Sequence, residues 1–203
     1  MTATRSSSRA LVLASASPAR LRLLRDAGLD PRVVVSGVDE RGVQAEQPRA
    51  LVLELARRKA EAVAGQLSGD ELVVGCDSML ELRGEVLGKP RDAADATDRW
   101  KRMRGRSGTL LTGHVVVDVA SGRSAADVAA TVVRFGMPSD AEVTAYVATG
   151  EPLHVAGAFT LDGRSAPFLV GIDGDAGNVI GLSLPLLRVL LAQLGVGITE
   201  LWS

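Results

Sequence analysis

Leu11-Val-Leu-Ala-Ser15-Ala-Ser17-Pro18-Ala-Arg20-Leu-Arg-Leu-Leu24-Arg-Asp-Ala-Gly28 is the stretch around which the rest of the chain is organised. Leu11 to Ala14 is a short apolar run that reads as a buried strand. Ser17 then supplies an N-cap, and Pro18 suits the first helical position, where no amide donor is needed. Leu21, Leu24 and Ala27 recur at helical spacing, and Gly28 is placed to stop the helix. Strand, Ser-rich turn and helix start thus follow within a few residues. Free backbone N–H groups and the positive end of a helix dipole point at one spot, beside the hydroxyls of Ser15 and Ser17 and the guanidinium of Arg20. An anion suits such a place, most obviously a phosphate. An ordinary capped strand-to-helix turn reads the same way from these residues alone.

Whole-chain properties narrow the alternatives. With 203 residues, 46% hydrophobic and a formal net charge of −1, the chain has neither a disordered composition nor the basic excess of a nucleic-acid binder. Only 3% of the residues are aromatic, which argues further against nucleic-acid binding. The single cysteine, Cys76, fits a reducing compartment and has no partner for an internal disulfide. No apolar h-region or run of ~20 apolar residues is present, so the expectation is a soluble cytoplasmic protein with no membrane span. Of 23 basic residues only Lys59, Lys89 and Lys101 are lysines.

Beyond the opening stretch, Pro31 to Val35 reads as a strand followed by the loop holding Asp39 and Glu40. Pro48 to Ala64 reads as a helix carrying Lys59, and Glu71 to Cys76 as a strand with Asp77 and Ser78 at its end. Met79–Leu82 and Glu85–Leu87 flank Arg83-Gly84 as a hairpin, and Asp92 caps a helix to about Arg104. Strands are expected over Thr109–Val119, Ala129–Phe135 and Pro167–Ile172, with helices from the capping box at Ser139 to Gly150 and over Ser183–Leu194. The alternation, with no biased linker or repeat, predicts one compact α/β unit.

Several chemistries are excluded by spacing. Gly84-Glu-Val-Leu-Gly88-Lys89-Pro90 has one residue too few for a P-loop, and Pro90 stands where Ser or Thr would hold Mg²⁺. Lys89 remains a candidate phosphate contact or a solvated turn lysine. No dinucleotide fingerprint, Cys/His nucleophile pair or zinc-ligand spacing is present, and neither serine has a base partner. Asp77, after an apolar run, stands where open α/β sheets place ligands, able to take a proton from water or hold Mg²⁺; an Asx turn is the alternative. Glu40 is placed to share a metal with Asp77, or to be simply solvated.

Eight blocks in order resemble the Maf nucleotide pyrophosphatases: Leu13 to Arg20 with Leu23-Leu24, Val38-Asp39-Glu40, Ala56 to Ala60, Gly75 to Ser78, Leu87 to Pro90, Leu111-Thr112-Gly113, Ala156 to Phe159, and Asn178 to Leu182. The Asp-Ser-Met-Leu and Phe-Thr-Leu-Asp-Gly wording is most similar to actinobacterial members. The resemblance implies a two-lobed α/β fold over residues 9–197, with a long twisted mixed sheet flanked by helices, akin to the inosine triphosphatases. Met1 to Ser8 would then be a disordered terminus. It also implies Mg²⁺- or Mn²⁺-dependent hydrolysis of a nucleoside triphosphate to monophosphate and pyrophosphate, a housecleaning or salvage role, and often a homodimer. Ser15, Ser17, Arg20 and Ser78 would hold substrate, Lys59 and Lys89 would offset triphosphate charge, and Glu40 and Asp77 would hold the metal, with Asp77 also the base. A nucleotide-binding regulator of septum formation is the rival reading, disfavoured by the retained Asp77, Lys59, Lys89 and Glu40.

Two departures bear on specificity. Ala19 stands where relatives often carry an arginine, and Asp162 where thymidine- and uridine-type members carry Gln. A carboxylate only accepts, which suits the N–H donors of a guanine-like base, 7-methylguanine included, over a thymine or uracil edge.

Overall fold

The computed structural model describes residues 9–40, 42–43 and 45–203, so the expectation for Met1 to Ser8 lies outside the described residues. Seven strands form one mixed sheet in the order β2-β1-β3-β5-β6-β7, with β4 paired to β3 off that path. The strands are β1 (Ala10–Leu13), β2 (Arg32–Val33), β3 (Glu71–Leu82), β4 (Glu85–Leu87), β5 (Ser107–Asp118), β6 (Ser124–Phe135) and β7 (Leu169–Asp173). The helices are α1 (Pro18–Asp26), α2 (Pro48–Ala64), α3 (Ala93–Met103), α4 (Asp140–Ala148), α5 (Ala176–Ile180) and α6 (Leu184–Gln193). The α/β class and the mixed sheet flanked by helices are thus as expected. No helix among the described residues is long and apolar enough to cross a membrane.

Local chemistry explains most element ends. Ser17 accepts from the Arg20 amide, Asp92 from Asp95, and Ser139 and Glu142 form a reciprocal capping box. The hairpin turn between β3 and β4 has positive φ at both Arg83 and Gly84, the twist that suits tight antiparallel pairing.

The strand expected to end at Cys76 instead continues to Leu82. Its antiparallel ladder with β5 is unbroken from Leu72↔Asp118 to Glu81↔Thr109, and Asp77 pairs with Gly113 in mid-strand. What ends near Val74 is the parallel pairing: β1 stops at Leu13↔Val74, and β4 takes up the same edge only from Leu80. Between those points one edge of β3 has no strand partner among the described residues, and Asp77 and Ser78 lie there. The second strand is shorter than expected because it pairs only with β1, which turns away after Leu13. The β6 strand begins at Ser124, earlier than expected, under small and polar residues that hide its apolar alternation. Pro167 belongs to a 3-10 turn before β7, and α5, five residues long, is too short to show a helical period.

Two core groups straddle the open edge. Leu72, Val74 and Cys76 pack with Leu13, Leu24 and Leu187, while the alternate residue Val73 packs with Ala56, Ala60 and Val63 of α2 on the opposite face. Beyond the site, Leu80 and Leu82 join a second core around Trp100, which meets Phe135, Tyr146 and Phe168 edge-on. Helix α2 lies directly on the sheet because two strand residues lack a side chain. A Cβ on Gly75 would stand 2.4 Å from the Ala56 carbonyl oxygen, and one on Gly113 2.3 Å from that of Val52. Val52, Ala56 and Lys59 share one helix face, so this contact carries Lys59 down to β3.

Candidate active site

Two polar networks meet at the open edge of β3, and alternation along the strand separates them. Asp77 faces α2, while Cys76 and Ser78 face α1.

On the α2 side, Lys59 Nζ lies 2.6 Å from Asp77 Oδ1 and 2.6 Å from Glu40 Oε1. Lys59 and Asp77 are buried, whereas Glu40 is half exposed. The other Asp77 oxygen, Oδ2, is buried with no hydrogen-bond partner among the described residues. Burial pushes the Asp77 carboxyl above its ordinary value, with the charge and hydrogen bond of Lys59 and the charge of Arg20 pulling it back. A half-satisfied carboxylate held against an ammonium in a sheltered place is able to take up a proton and to accept one more electrophilic partner. Among the described residues there is no group of three or more His, Cys, Asp or Glu placed for a metal; the two expected donors, Glu40 and Asp77, are brought together through Lys59, which bonds both.

On the α1 side, the buried Arg20 guanidinium ties four segments together. Its Nε donates to the Gly181 carbonyl at 2.7 Å, Nη1 to Ser15 Oγ and the Cys76 carbonyl at 3.0 Å each, and Nη2 to Ser78 Oγ at 2.9 Å. A guanidinium has five N–H groups, so one, on Nη2, is left over. All four acceptors are uncharged, and none of these bonds neutralises the cation. Ser15 Oγ accepts from Arg20 and from the Ser17 amide, which leaves its own O–H to donate elsewhere. The strand-to-helix turn therefore presents a buried positive charge, a spare N–H, a spare hydroxyl and a helix N-terminus together, as an anion requires.

Not every expected residue joins these networks. Lys89 is exposed, and its ammonium makes no ion pair among the described residues. Its loop is fixed by its backbone: the Gly88 carbonyl accepts from Arg99 Nη1 at 2.6 Å and from the Gly157 amide at 3.1 Å. Asp162 forms an ion pair with Arg22 of α1. Ser78 is on the α1 side as part of the Arg20 network. Cys76 is a packed thiol, as expected, its pKa raised to about 11 by burial.

Other polar residues of the site were not singled out from the sequence. Thr112 Oγ1 bonds Ser78 Oγ at 2.9 Å and the Asn178 carbonyl at 3.2 Å. Asn178 Nδ2 donates to the Leu110 carbonyl and to Thr131 Oγ1, pinning α5 to β5 and β6. His114 Nε2 accepts from the Ser183 amide at 2.8 Å, so Nδ1 carries the proton toward the Thr112 carbonyl. Thr112 and Asn178 stand in blocks that resemble family motifs, but only the fold brings them to Arg20.

Residues 10–194 match the family described as Maf-like protein. A nucleoside triphosphate pyrophosphatase of Streptomyces coelicolor is 68% identical over 197 residues, covering 96% of this chain and 95% of that protein. One of Streptomyces avermitilis is 66% identical with the same coverage, and one of a Cyanothece strain 52% identical over 191 residues, 94% of this chain and 98% of its own. Among solved structures, a nucleoside-triphosphatase / dITP/XTP pyrophosphatase from Mycobacterium abscessus covers 91% of this chain and 94% of its own, with 15% identity and a TM-score of 0.42.

Proposed function

The chain belongs to the Maf-like protein family, and from that premise we propose that it is a nucleoside triphosphate pyrophosphatase, releasing pyrophosphate and a nucleoside monophosphate. One observation carries the reading: the Arg20 guanidinium, whose hydrogen-bond acceptors are all uncharged, bonds the Cys76 carbonyl, and the next residue, Asp77, is the buried partner of Lys59. Anion binding and proton acceptance are thus adjacent on one strand edge. The relatives' names support the same activity.

In this mechanism the spare Arg20 N–H and the Ser15 hydroxyl hold phosphate oxygens, and Ser17 and the first turn of α1 add partial positive charge. Lys59 orients the Asp77 carboxylate and offsets charge developing on the phosphates. Asp77 takes the proton of the attacking water, the role its sheltered position favours. Lys89, exposed on a loop held by Arg99, supplies a further cation to the triphosphate.

A divalent cation such as Mg²⁺ or Mn²⁺ fits the residues present. The unpartnered Asp77 Oδ2 and the half-exposed Glu40 are hard oxygen donors, and Mg²⁺ is commonly held by one or two carboxylates plus substrate phosphates. When bound it would supply charge to the phosphates and acidity to a water.

Asp162 pairs with Arg22, and a carboxylate, which only accepts, at that position supports a guanine-like or 7-methylated base and a salvage role. Pyrophosphate release from dTTP, UTP, GTP and 7-methyl-GTP, repeated with D77N, tests both parts. No release from any triphosphate removes the activity; a higher kcat/KM for dTTP or UTP removes the base assignment alone.

A further inference from the structure

The hydroxyl protons of Thr112 and Ser78 have only one consistent arrangement. The Asn178 carbonyl can only accept, so the Thr112 proton goes to it across 3.2 Å. Within the short α5 that carbonyl has no amide of its own, because the Leu182 amide goes to the Gly177 carbonyl. Thr112 must then accept from Ser78 at 2.9 Å, and the Ser78 oxygen, its proton spent, accepts from Arg20 Nη2. Ser78 therefore has no proton for a substrate phosphate; its lone pair orients the guanidinium instead. The anchor of this relay is rigid, since the Asn178 side chain is fully buried and bonded to both β5 and β6.

We propose that Thr112 is a positioning residue for the polyphosphate site: its hydroxyl, fixed by the Asn178 carbonyl, sets the Ser78 hydroxyl and through it the direction of the one Arg20 N–H left for substrate. The proposal rests on the pyrophosphatase reading for its kinetic consequence but not for its binding consequence. Thr112 is fully buried and isosteric with valine, so T112V removes the hydroxyl and keeps the shape.

The test is calorimetric titration of the full chain with inorganic triphosphate, alongside steady-state kinetics on the best nucleotide. T112V is expected to weaken triphosphate binding and raise KM about tenfold, the scale of one charge-assisted hydrogen bond, with kcat within about twofold. T112S restores both values. S78A reproduces the loss, and T112V added to S78A causes no further loss, because the relay is already cut. Unchanged triphosphate binding in T112V, a fall in kcat at constant KM, or a full extra loss on the S78A background would each overturn the proposal. If the native chain shows Thr112-dependent triphosphate binding yet releases no pyrophosphate from any nucleotide, the activity falls while the positioning role stands.

Discussion

Lys59 Nζ approaches Asp77 Oδ1 to 2.6 Å across the interface between α2 and β3, and both side chains are buried. The pair is asymmetric: one Asp77 oxygen is held by the ammonium and the other is buried without a partner. A site that kept this carboxylate only for stability would have satisfied both oxygens.

The first prediction concerns that carboxylate. D77N keeps the shape but removes the proton acceptor, so kcat falls by about a hundredfold or more while inorganic triphosphate still binds. Single-turnover hydrolysis and calorimetric titration on the same preparation measure the two effects separately. Loss of binding with intact turnover per bound nucleotide would assign Asp77 to substrate holding instead.

Arg20 predicts a stability effect independent of catalysis. Because its charge is not neutralised by any of its four hydrogen bonds, a polyphosphate anion should raise the unfolding temperature, by about 2.7 kcal/mol of stabilisation at a hundredfold excess over Kd. R20K cannot reproduce the planar fork, strands the Gly181 and Cys76 carbonyls, and abolishes most of that ligand-dependent gain. Thermal melts with and without inorganic triphosphate decide this.

The close seat of α2 can be probed at Gly113, which pairs with Asp77 across the β3–β5 ladder. A methyl group there would meet the Val52 backbone, which cannot yield without moving the helix. G113A should cost about 1–3 kcal/mol in denaturant unfolding and lower kcat by shifting Lys59 away from Asp77. Stability loss with kcat unaltered would mean that the helix recovers its position.

His114 governs part of the acid stability. Burial, with the nearby charge of Arg20, holds its pKa down to about 4 against an ordinary 6.5. The folded state resists protonation that the unfolded state accepts, so stability is full above pH 6.5 and declines as pH falls from 6.5 toward 4. H114Q, which retains an acceptor but does not titrate, should be less stable at pH 7.5 and show a flatter decline through that window. Urea midpoints across pH 4–8 measure the slope.

What could be read without the fold was local. Ser17 and Pro18 set the start of α1, Arg83-Gly84 the hairpin, Ser139 with Glu142 the start of α4, and the apolar spacing the whole of α2, because each depends on neighbours within a turn of chain. The motif residues also marked Arg20, Lys59 and Asp77 as chemistry-bearing. Three-dimensional packing decided what those residues do to one another. Asp77 looked like a strand terminus because its own apolar run stops, yet β5 pairs straight past it, and the real end belongs to β1. Lys59 meets Asp77 only because Gly75 and Gly113, distant in sequence from the helix, let α2 touch the sheet. The Arg20 donors are allotted by Gly181, Ser78 and, through Thr112, Asn178, and Asp162 is claimed by Arg22. Hydrogen-bond direction and close approach between segments far apart in the chain are properties of the assembled sheet, and no periodicity encodes them.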